Sequence, residues 1–150
     1  MSELESLYQE VILDHNRRPR NFKVLESANR KAEGFNPLCG DRVTIYLEVD
    51  DEVVKDVAFQ GSGCAISMAA SSIMTESLKG KSLVEVERLW TTFHDIVTGE
   101  SDESSGQTDV GKLAVFGGVS KYPVRVKCAT LTWHTLLAAL HETQQVVSSE

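Results

Sequence analysis

Hydrophobic residues follow a helical period at the start of the chain and a strand period further along. The first stripe stops before Pro19, which predicts one amphipathic helix; its members are Leu4, Leu7, Tyr8, Val11 and Ile12. Ser2 and Glu5 form a capping box at the start of this helix. Further along, apolar residues alternate with polar ones, at Val43, Ile45, Leu47 and Val49. An acidic turn follows, and residues 53–60 then form a second predicted strand. These two segments predict a hairpin with one buried face.

A helical period returns in the second half of the chain. One predicted helix begins at or just after Cys64 and stops at Gly80, because glycine favours a helix end. A second predicted helix has a capping box formed by Ser82 and Glu85 and ends at Gly99. Two consecutive helices are therefore expected after the hairpin.

The rest of the chain predicts a loop followed by a last long helix. Residues 100–109 are polar and acidic without a period, so we expect a surface loop, and residues 110–119 predict a short helical piece. Pro123 then precedes a last long helix, which is expected to have Cys128 near its first turn. The apolar stripe predicted for one face of this helix consists of Val126, Ala129, Thr130, Trp133, Leu137 and Leu140.

The order of these elements indicates the α+β fold class. A helix is followed by strands and then by helices, without the strict alternation that builds a parallel sheet. With a short strand predicted over residues 30–35, we expect a small antiparallel three-stranded sheet with several helices packed on it. A length of 150 residues, with no internal repeat or long linker, predicts one domain over residues 1–150.

Composition and charge narrow the possible partners. The formal net charge is −7, which argues against nucleic acid or an anionic membrane as a partner, because such binding requires clustered Lys and Arg. The basic cluster of Arg17, Arg18 and Arg20 is interpreted as a solvated patch or a protein docking spot. No apolar run approaches the ~20 residues that cross a bilayer, and the acidic first residues lack a secretory pattern. A cytoplasmic location is therefore expected.

The three cysteines all lie at predicted element boundaries. Cys39 lies in a turn before a strand, Cys64 in a Gly-Ser-Gly-Cys turn before a helix, and Cys128 just beyond Pro123. Disulfides are rare in a reducing compartment, which leaves buried inert thiols, a reactive thiol or a metal site. A buried structural thiol is the alternative for each cysteine taken alone, since their spacing matches no short zinc-finger pattern. Their shared position at boundaries, with Asp41 two residues after the first, favours a metal.

Zinc is the metal that best fits these side chains if they converge. Three sulfurs and one carboxylate oxygen would complete a tetrahedral site, with zinc–sulfur bonds of about 2.3 Å; the four residues are Cys39, Asp41, Cys64 and Cys128. Such a site carries a formal charge of about −2, which we expect two helix N-termini, Arg125 and Lys127 to offset. Helix N-termini are also expected to lower the thiol pKa values of Cys64 and Cys128. The glycines next to Cys39 and Cys64 are expected to let the backbone approach a bound ion closely.

Four segments carry a resemblance to a known family. They are residues 7–21, residues 36–41 (Asn-Pro-Leu-Cys-Gly-Asp), residues 61–67 (Gly-Ser-Gly-Cys-Ala-Ile-Ser) and residues 125–129 (Arg-Val-Lys-Cys-Ala). Together they closely resemble the IscU/NifU N-terminal scaffold family, and in particular its SufU-like branch. The match runs in the family's order over nearly the whole chain. It implies an α+β fold in which the three cysteines and the aspartate surround a metal or cluster site.

The resemblance also implies a function in iron-sulfur cluster biogenesis. By this resemblance the chain is a zinc-bound sulfur acceptor, a sulfurtransferase-type partner protein, in which Cys39 takes persulfide sulfur from a pyridoxal-phosphate-dependent cysteine desulfurase of the SufS type. Downstream cluster-assembly proteins are the expected recipients. The alternative is a scaffold on which a [2Fe-2S] cluster is assembled and transferred.

Two departures from the scaffold pattern favour sulfur transfer. Scaffold members have histidine before the third cysteine, whereas this chain has Lys127, which is protonated near neutral pH and is a poor cluster ligand. The chain also has extra residues between Trp90 and Cys128, as SufU-like proteins do. A third interpretation is a zinc-stabilised structural domain without sulfur chemistry.

The four histidines are not expected to bind metal. His15 lies near the end of the first predicted helix, where capping or surface exposure is expected. His94, His134 and His141 lack paired ligand spacing, so packing or solvent exposure is expected for each.

Overall fold

The helices and strands occur in the order expected for an α+β protein. A computed structural model describes residues 3–37, 40–99, 113, 115–117, 119, 122–141 and 147–148. Its elements are α1 (Glu3–Arg17), β1 (Arg30–Asn36), β2 (Asp41–Asp50), β3 (Val53–Ser62), α2 (Ala65–Leu78), α3 (Leu83–Thr98), α4 (Pro123–Leu140) and β4 (Val147–Ser148). The predicted fold class is confirmed. Among the described residues, no helix combines the length and apolar character needed to cross a bilayer.

Some predicted features lie outside the described residues. They are the Ser2 half of the first capping box and the loop over residues 100–109. Of the short helical piece predicted over residues 110–119, the described part is Leu113, residues 115–117 and Val119, and these residues form 3₁₀ turns.

The sheet has the predicted antiparallel three-stranded core. Its strand order is β3-β2-β1-β4, in which β1, β2 and β3 are antiparallel and the two-residue β4 is parallel to β1. Asn36 pairs with Asp41 at the end of the β1–β2 hairpin, and Arg42 pairs with Ser62 at the end of β3. This register places the start of β2 beside the end of β3, which leads to Cys64.

Helices α2 and α4 cover one face of the sheet. The alternating side chains Val43, Ile45 and Leu47 of β2 are buried against them, as the strand period predicted. The residues predicted for one face of α4 are buried or partly buried, and the helix is also buried on further sides, between the sheet, α2 and α3. Its buried residues are Cys128, Ala129, Thr130, Leu131, Thr132, Trp133, Thr135, Leu136, Ala138, Ala139 and Leu140.

The predicted ends of α3 are confirmed. The Ser82 hydroxyl accepts a hydrogen bond from the Glu85 amide at 3.2 Å, and the Glu85 carboxylate accepts one from the Ser82 amide at 3.2 Å. Gly99 caps the other end with a φ of 80°, a left-handed conformation that glycine adopts without steric cost. The local sequence therefore determines where this helix starts and stops.

His15 is in the last turn of α1 but not at the surface, so the surface alternative of that prediction is wrong. It is 1% exposed between α1 and α2, and its Nδ1 lies 2.7 Å from the Ser72 hydroxyl. The small side chain of Ser72 leaves room for the ring. Within the predicted basic patch, Arg20 forms an ion pair of 2.7 Å with Asp14, while Arg18 is 84% exposed.

The other histidines lie as predicted. His94 and His134 both pack against the Trp90 ring, at centroid distances of 5.1 and 5.2 Å. Burial lowers the pKa of His134, and the nearby His94 adds to this effect. His141 is exposed, with its Nε2 3.8 Å from a Glu87 carboxylate oxygen.

Candidate metal centre

Three of the four predicted ligands come together at one end of the sheet. One donor atom each from Asp41, Cys64 and Cys128 lies within 4.8 Å of the other two. They come from β2, from the β3–α2 junction and from α4, so the chain is folded back on itself to assemble them. Cys39 lies outside the described residues.

Asp41 is the buried carboxylate of this group. It is the first residue of β2 and is fully buried. Its Oδ1 accepts a hydrogen bond from the Cys64 amide at 3.0 Å, and the Cys64 Sγ lies 3.9 Å from its Oδ2. A side chain at Gly63 would overlap the Asp41 carboxylate, so glycine is required for this close approach. The predicted role of the glycine beside Cys64 is therefore confirmed.

Cys64 is the N-cap of α2, and its sulfur is exposed. The Ser67 amide donates a hydrogen bond to the Cys64 Sγ at 3.4 Å. The hydrogen bond with the Cys128 side chain and those from the Ser67 and Ile66 amides lower the pKa of the Cys64 thiol to about 6. Burial and the Asp41 charge act in the opposite direction. The expected low pKa at this helix start is thus present, although the neighbouring thiol is its largest cause.

Cys128 differs from the prediction in its position. It is the sixth residue of α4 and lies in the second turn, so the argument from the helix dipole does not apply to it. Its side chain is buried, with 3% exposed. The Asn36 Nδ2 lies 4.0 Å from its Sγ, a long hydrogen bond to a sulfur acceptor. Tertiary contacts, rather than the start of the helix, therefore define its surroundings.

Asn36 and Gly40 lie on either side of Cys39 in the sequence and are hydrogen-bonded to each other. The Gly40 amide donates a hydrogen bond to the Asn36 carbonyl at 2.8 Å. Gly40 has a φ of 71°, which favours glycine. Asn36 and Asp41 are also paired across the hairpin. Asn36 contacts Cys128 and Asp41 contacts Cys64, so both residues are attached to the candidate centre.

The two predicted supporting cations have different surroundings. The Arg125 side chain is exposed, and its guanidinium lies 4.4 Å from the centroid of the Tyr122 ring. Lys127 is half-buried and immediately precedes Cys128. Their role in offsetting the charge of the site stays a prediction.

Sequence reasoning missed Asn36 and Ser67 as parts of the site. Asn36 belongs to the Asn-Pro-Leu-Cys-Gly-Asp motif, but asparagine is common in turns, so its residue type alone does not indicate a role in the site. Its complete burial depends on packing against α4, which no local pattern encodes. Ser67 contributes its backbone amide, and its position three residues after an N-cap is the available signal.

Known proteins resemble this chain over most of its length. It is 41% identical over 133 residues to the zinc-dependent sulfurtransferase SufU of Bacillus subtilis, which covers 89% of this chain and 88% of that protein. It is 37% identical over 140 residues to the iron-sulfur cluster assembly scaffold protein IscU of Streptococcus pyogenes, covering 93% and 86%. The crystal structure of FiSufU from Fervidobacterium islandicum superposes with a TM-score of 0.80 at 36% identity, covering 91% of this chain and 98% of that one.

The chain also matches a known protein family. Residues 7–129 match the NifU-like N-terminal domain. This range includes all three cysteines and Asp41, and it extends from α1 into α4. The resemblance carried by the cysteine motifs is confirmed, and the chain belongs to the NifU-like N-terminal domain family.

Proposed function

We propose that this protein is a zinc-bound sulfur acceptor of iron-sulfur cluster biogenesis. In this proposal Cys39, Asp41, Cys64 and Cys128 hold the zinc ion, and Cys39 receives sulfur from a cysteine desulfurase. The observation that supports it best is the convergence of the Asp41, Cys64 and Cys128 donor atoms within 4.8 Å. The similarity to a zinc-dependent sulfurtransferase is a second, independent support.

The donor set fits a zinc ion. Thiolates and a carboxylate are ligands that zinc accepts in a four-coordinate site. A buried carboxylate such as that of Asp41 is costly to keep without a positive partner, and a divalent ion would supply one. The close approach permitted by Gly63 holds this carboxylate beside the Cys64 amide. When bound, zinc would keep its sulfur ligands deprotonated near neutral pH.

Sulfur transfer itself requires a thiolate on this chain. The Cys39 thiolate attacks the outer sulfur of a cysteine persulfide on the desulfurase. A sulfur–sulfur bond forms on Cys39 while the sulfur–sulfur bond of the donor breaks, and the donor cysteine leaves as a thiolate. The step is an exchange without net oxidation or reduction, so no further reactant is needed.

The exposed first turn of α4 suits a docking partner. Tyr122 and Val124 are 50% and 51% exposed, and Val124 lies one helical turn before Cys128 on the same face. Cys64 is also exposed. A desulfurase that docks here would reach the site, and downstream cluster-assembly proteins would be the next recipients. We expect this to occur in the cytoplasm without nucleic acid or membrane, in keeping with the net charge of −7.

One experiment tests the proposal directly. The purified protein is assayed for zinc content and then incubated with a pyridoxal-phosphate-dependent cysteine desulfurase from the same genome and ³⁵S-cysteine. We expect one tightly bound zinc ion per chain and label on Cys39, located by peptide mass spectrometry. Cys39→Ala should accept no label. A wild-type protein that holds no zinc, or that acquires no label, contradicts the proposal.

A scaffold for a [2Fe-2S] cluster is the second candidate. It is favoured by the similarity to proteins named as IscU scaffolds, one of them 37% identical over 140 residues. Anaerobic purification separates the two functions. A coloured protein whose cluster is transferred to an acceptor supports the scaffold, whereas a colourless zinc protein that accepts sulfur supports the proposal above.

A further inference from the structure

Asn36 is a buried residue whose two polar groups contact different parts of the candidate centre. Its side-chain Nδ2 donates to the Cys128 Sγ at 4.0 Å, and its backbone carbonyl accepts from the Gly40 amide at 2.8 Å. We infer that Asn36 is a positioning residue, whose side chain holds the Cys128 sulfur as a metal ligand. This inference rests on the proposed function, because it assigns Asn36 to the same metal site.

The first step of the argument concerns charge. Three thiolates and a carboxylate outweigh the charge of a zinc ion, so hydrogen-bond donors to sulfur stabilise the ligand set. The Ser67 amide is such a donor for Cys64. For Cys128 the donor is the Asn36 side chain, which lies 4.0 Å from the sulfur and comes from a strand residue 92 positions away in the chain.

The second step concerns the geometry of the hairpin. Asn36 and Asp41 are paired at its end, where Asn36 contacts Cys128 and Asp41 contacts Cys64. Both flanks of the turn are therefore attached to the elements that carry the two described thiols. Asn36 thus helps to hold the Asp41, Cys64 and Cys128 donors together.

The experiment compares two asparagines of the same hairpin. Asn36→Ala removes the donor to Cys128, and we expect zinc affinity, measured by chelator competition, to fall by about 10–100-fold. Asn29→Ala is the control. Asn29 lies at the opposite end of β1 and donates to the Val49 carbonyl at 2.7 Å, so its replacement should leave zinc affinity unchanged.

A spectroscopic readout separates positioning from a general loss of stability. With Co(II) bound in place of zinc, the sulfur-to-cobalt charge-transfer bands of Asn36→Ala should move to longer wavelength, because the sulfur loses a hydrogen bond. If Asn36→Ala fails to fold, the wild-type protein decides. On loading with Cd(II), the ¹⁵N-labelled side-chain amide signals of Asn36 should shift, while those of Asn29 should stay in place.

The outcomes distinguish this inference from the function on which it rests. A wild-type protein that binds neither zinc nor Co(II) contradicts the proposed function itself. A wild-type protein that binds both, with unchanged affinity and spectrum in Asn36→Ala, overturns the role of Asn36 alone. Unmoved Asn36 amide signals on Cd(II) loading also overturn it.

Discussion

Cys64 and Cys128 contribute to the same candidate centre through different kinds of structure. Cys64 is an exposed N-cap whose sulfur accepts from an amide three residues further along the chain. Cys128 lies within α4, is 3% exposed, and has its hydrogen-bond donor on β1. The surroundings of Cys64 are therefore made by local sequence, and those of Cys128 by tertiary packing. Variants at the two positions should fail in different ways.

The largest expected effect is the loss of metal when either cysteine is removed. Cys64→Ala and Cys128→Ala each delete a ligand, so zinc affinity should fall by more than the ~100-fold that loss of an outer partner causes. Asp41→Ala should retain more zinc, because a carboxylate is a weaker zinc ligand than a thiolate in this sulfur-rich set. Metal analysis after chelator treatment measures the order. Equal loss of zinc in all three variants would contradict this order, in which Asp41 is the weakest of the three ligands.

The next-largest expected effect is on the free energy of unfolding of the zinc-free protein, and it differs between the two cysteines. Serine is a good N-cap, so Cys64→Ser should change the free energy of unfolding at pH 6 by no more than about 0.5 kcal/mol. Cys128→Ser places a hydroxyl in a buried position beside Asn36, and a poorly satisfied hydroxyl costs about 1–3 kcal/mol. Urea unfolding under reducing conditions measures both. A larger cost at Cys64 than at Cys128 would reverse the comparison.

The same contrast explains what could be predicted from the sequence. The capping box at Ser82 and Glu85 and the helix start after Cys64 depend on neighbouring residues, and both are confirmed. The position of Cys128 in the second turn and the burial of His15 depend on contacts between distant elements, and neither was predicted. Periodicity shows which face of a helix is apolar, yet it does not show that α4 is covered on most sides.

The same contrast applies to the candidate site, where the sequence identified some residues and not others. The family motifs identified Cys39, Asp41, Cys64 and Cys128 as a group, and the donor atoms of its three described members converge. Asn36 was not identified, since an asparagine before a proline has an ordinary local explanation. A side chain that stabilises a ligand from another element leaves no periodic signal in the sequence.

A third prediction concerns pH and the zinc-free protein. The pKa of Cys64 is about 6 in the folded state, against an ordinary value of 9.0, so the unfolded chain binds more protons between these values. The stability contributed by this thiolate is therefore complete above pH 9 and is lost as the pH falls through 6. Solvent screening makes the effect modest, because the side chain is exposed.

Comparison with a serine variant isolates this contribution. The difference in free energy of unfolding between the wild type and Cys64→Ser should grow in favour of the wild type as the pH rises from 6 to 9. Urea unfolding at several pH values, with zinc removed and thiols reduced, provides the measurement. A difference that is constant with pH would show that the Cys64 thiol titrates normally.

The smallest expected effects come from the two cations near Cys128. Lys127→Gln should weaken zinc binding by less than about threefold, and the loss should shrink at high salt because exposed charges are screened. Arg125→Gln should have a smaller effect, since that side chain is exposed and stacked on Tyr122. Lys55→Gln removes the same charge near the start of β3, at the opposite end from the candidate centre. Equal losses in all three variants would mean that net charge alone acts on the metal. A loss confined to Lys127 would show that this half-buried cation supports Cys128, the ligand whose surroundings are made by tertiary packing.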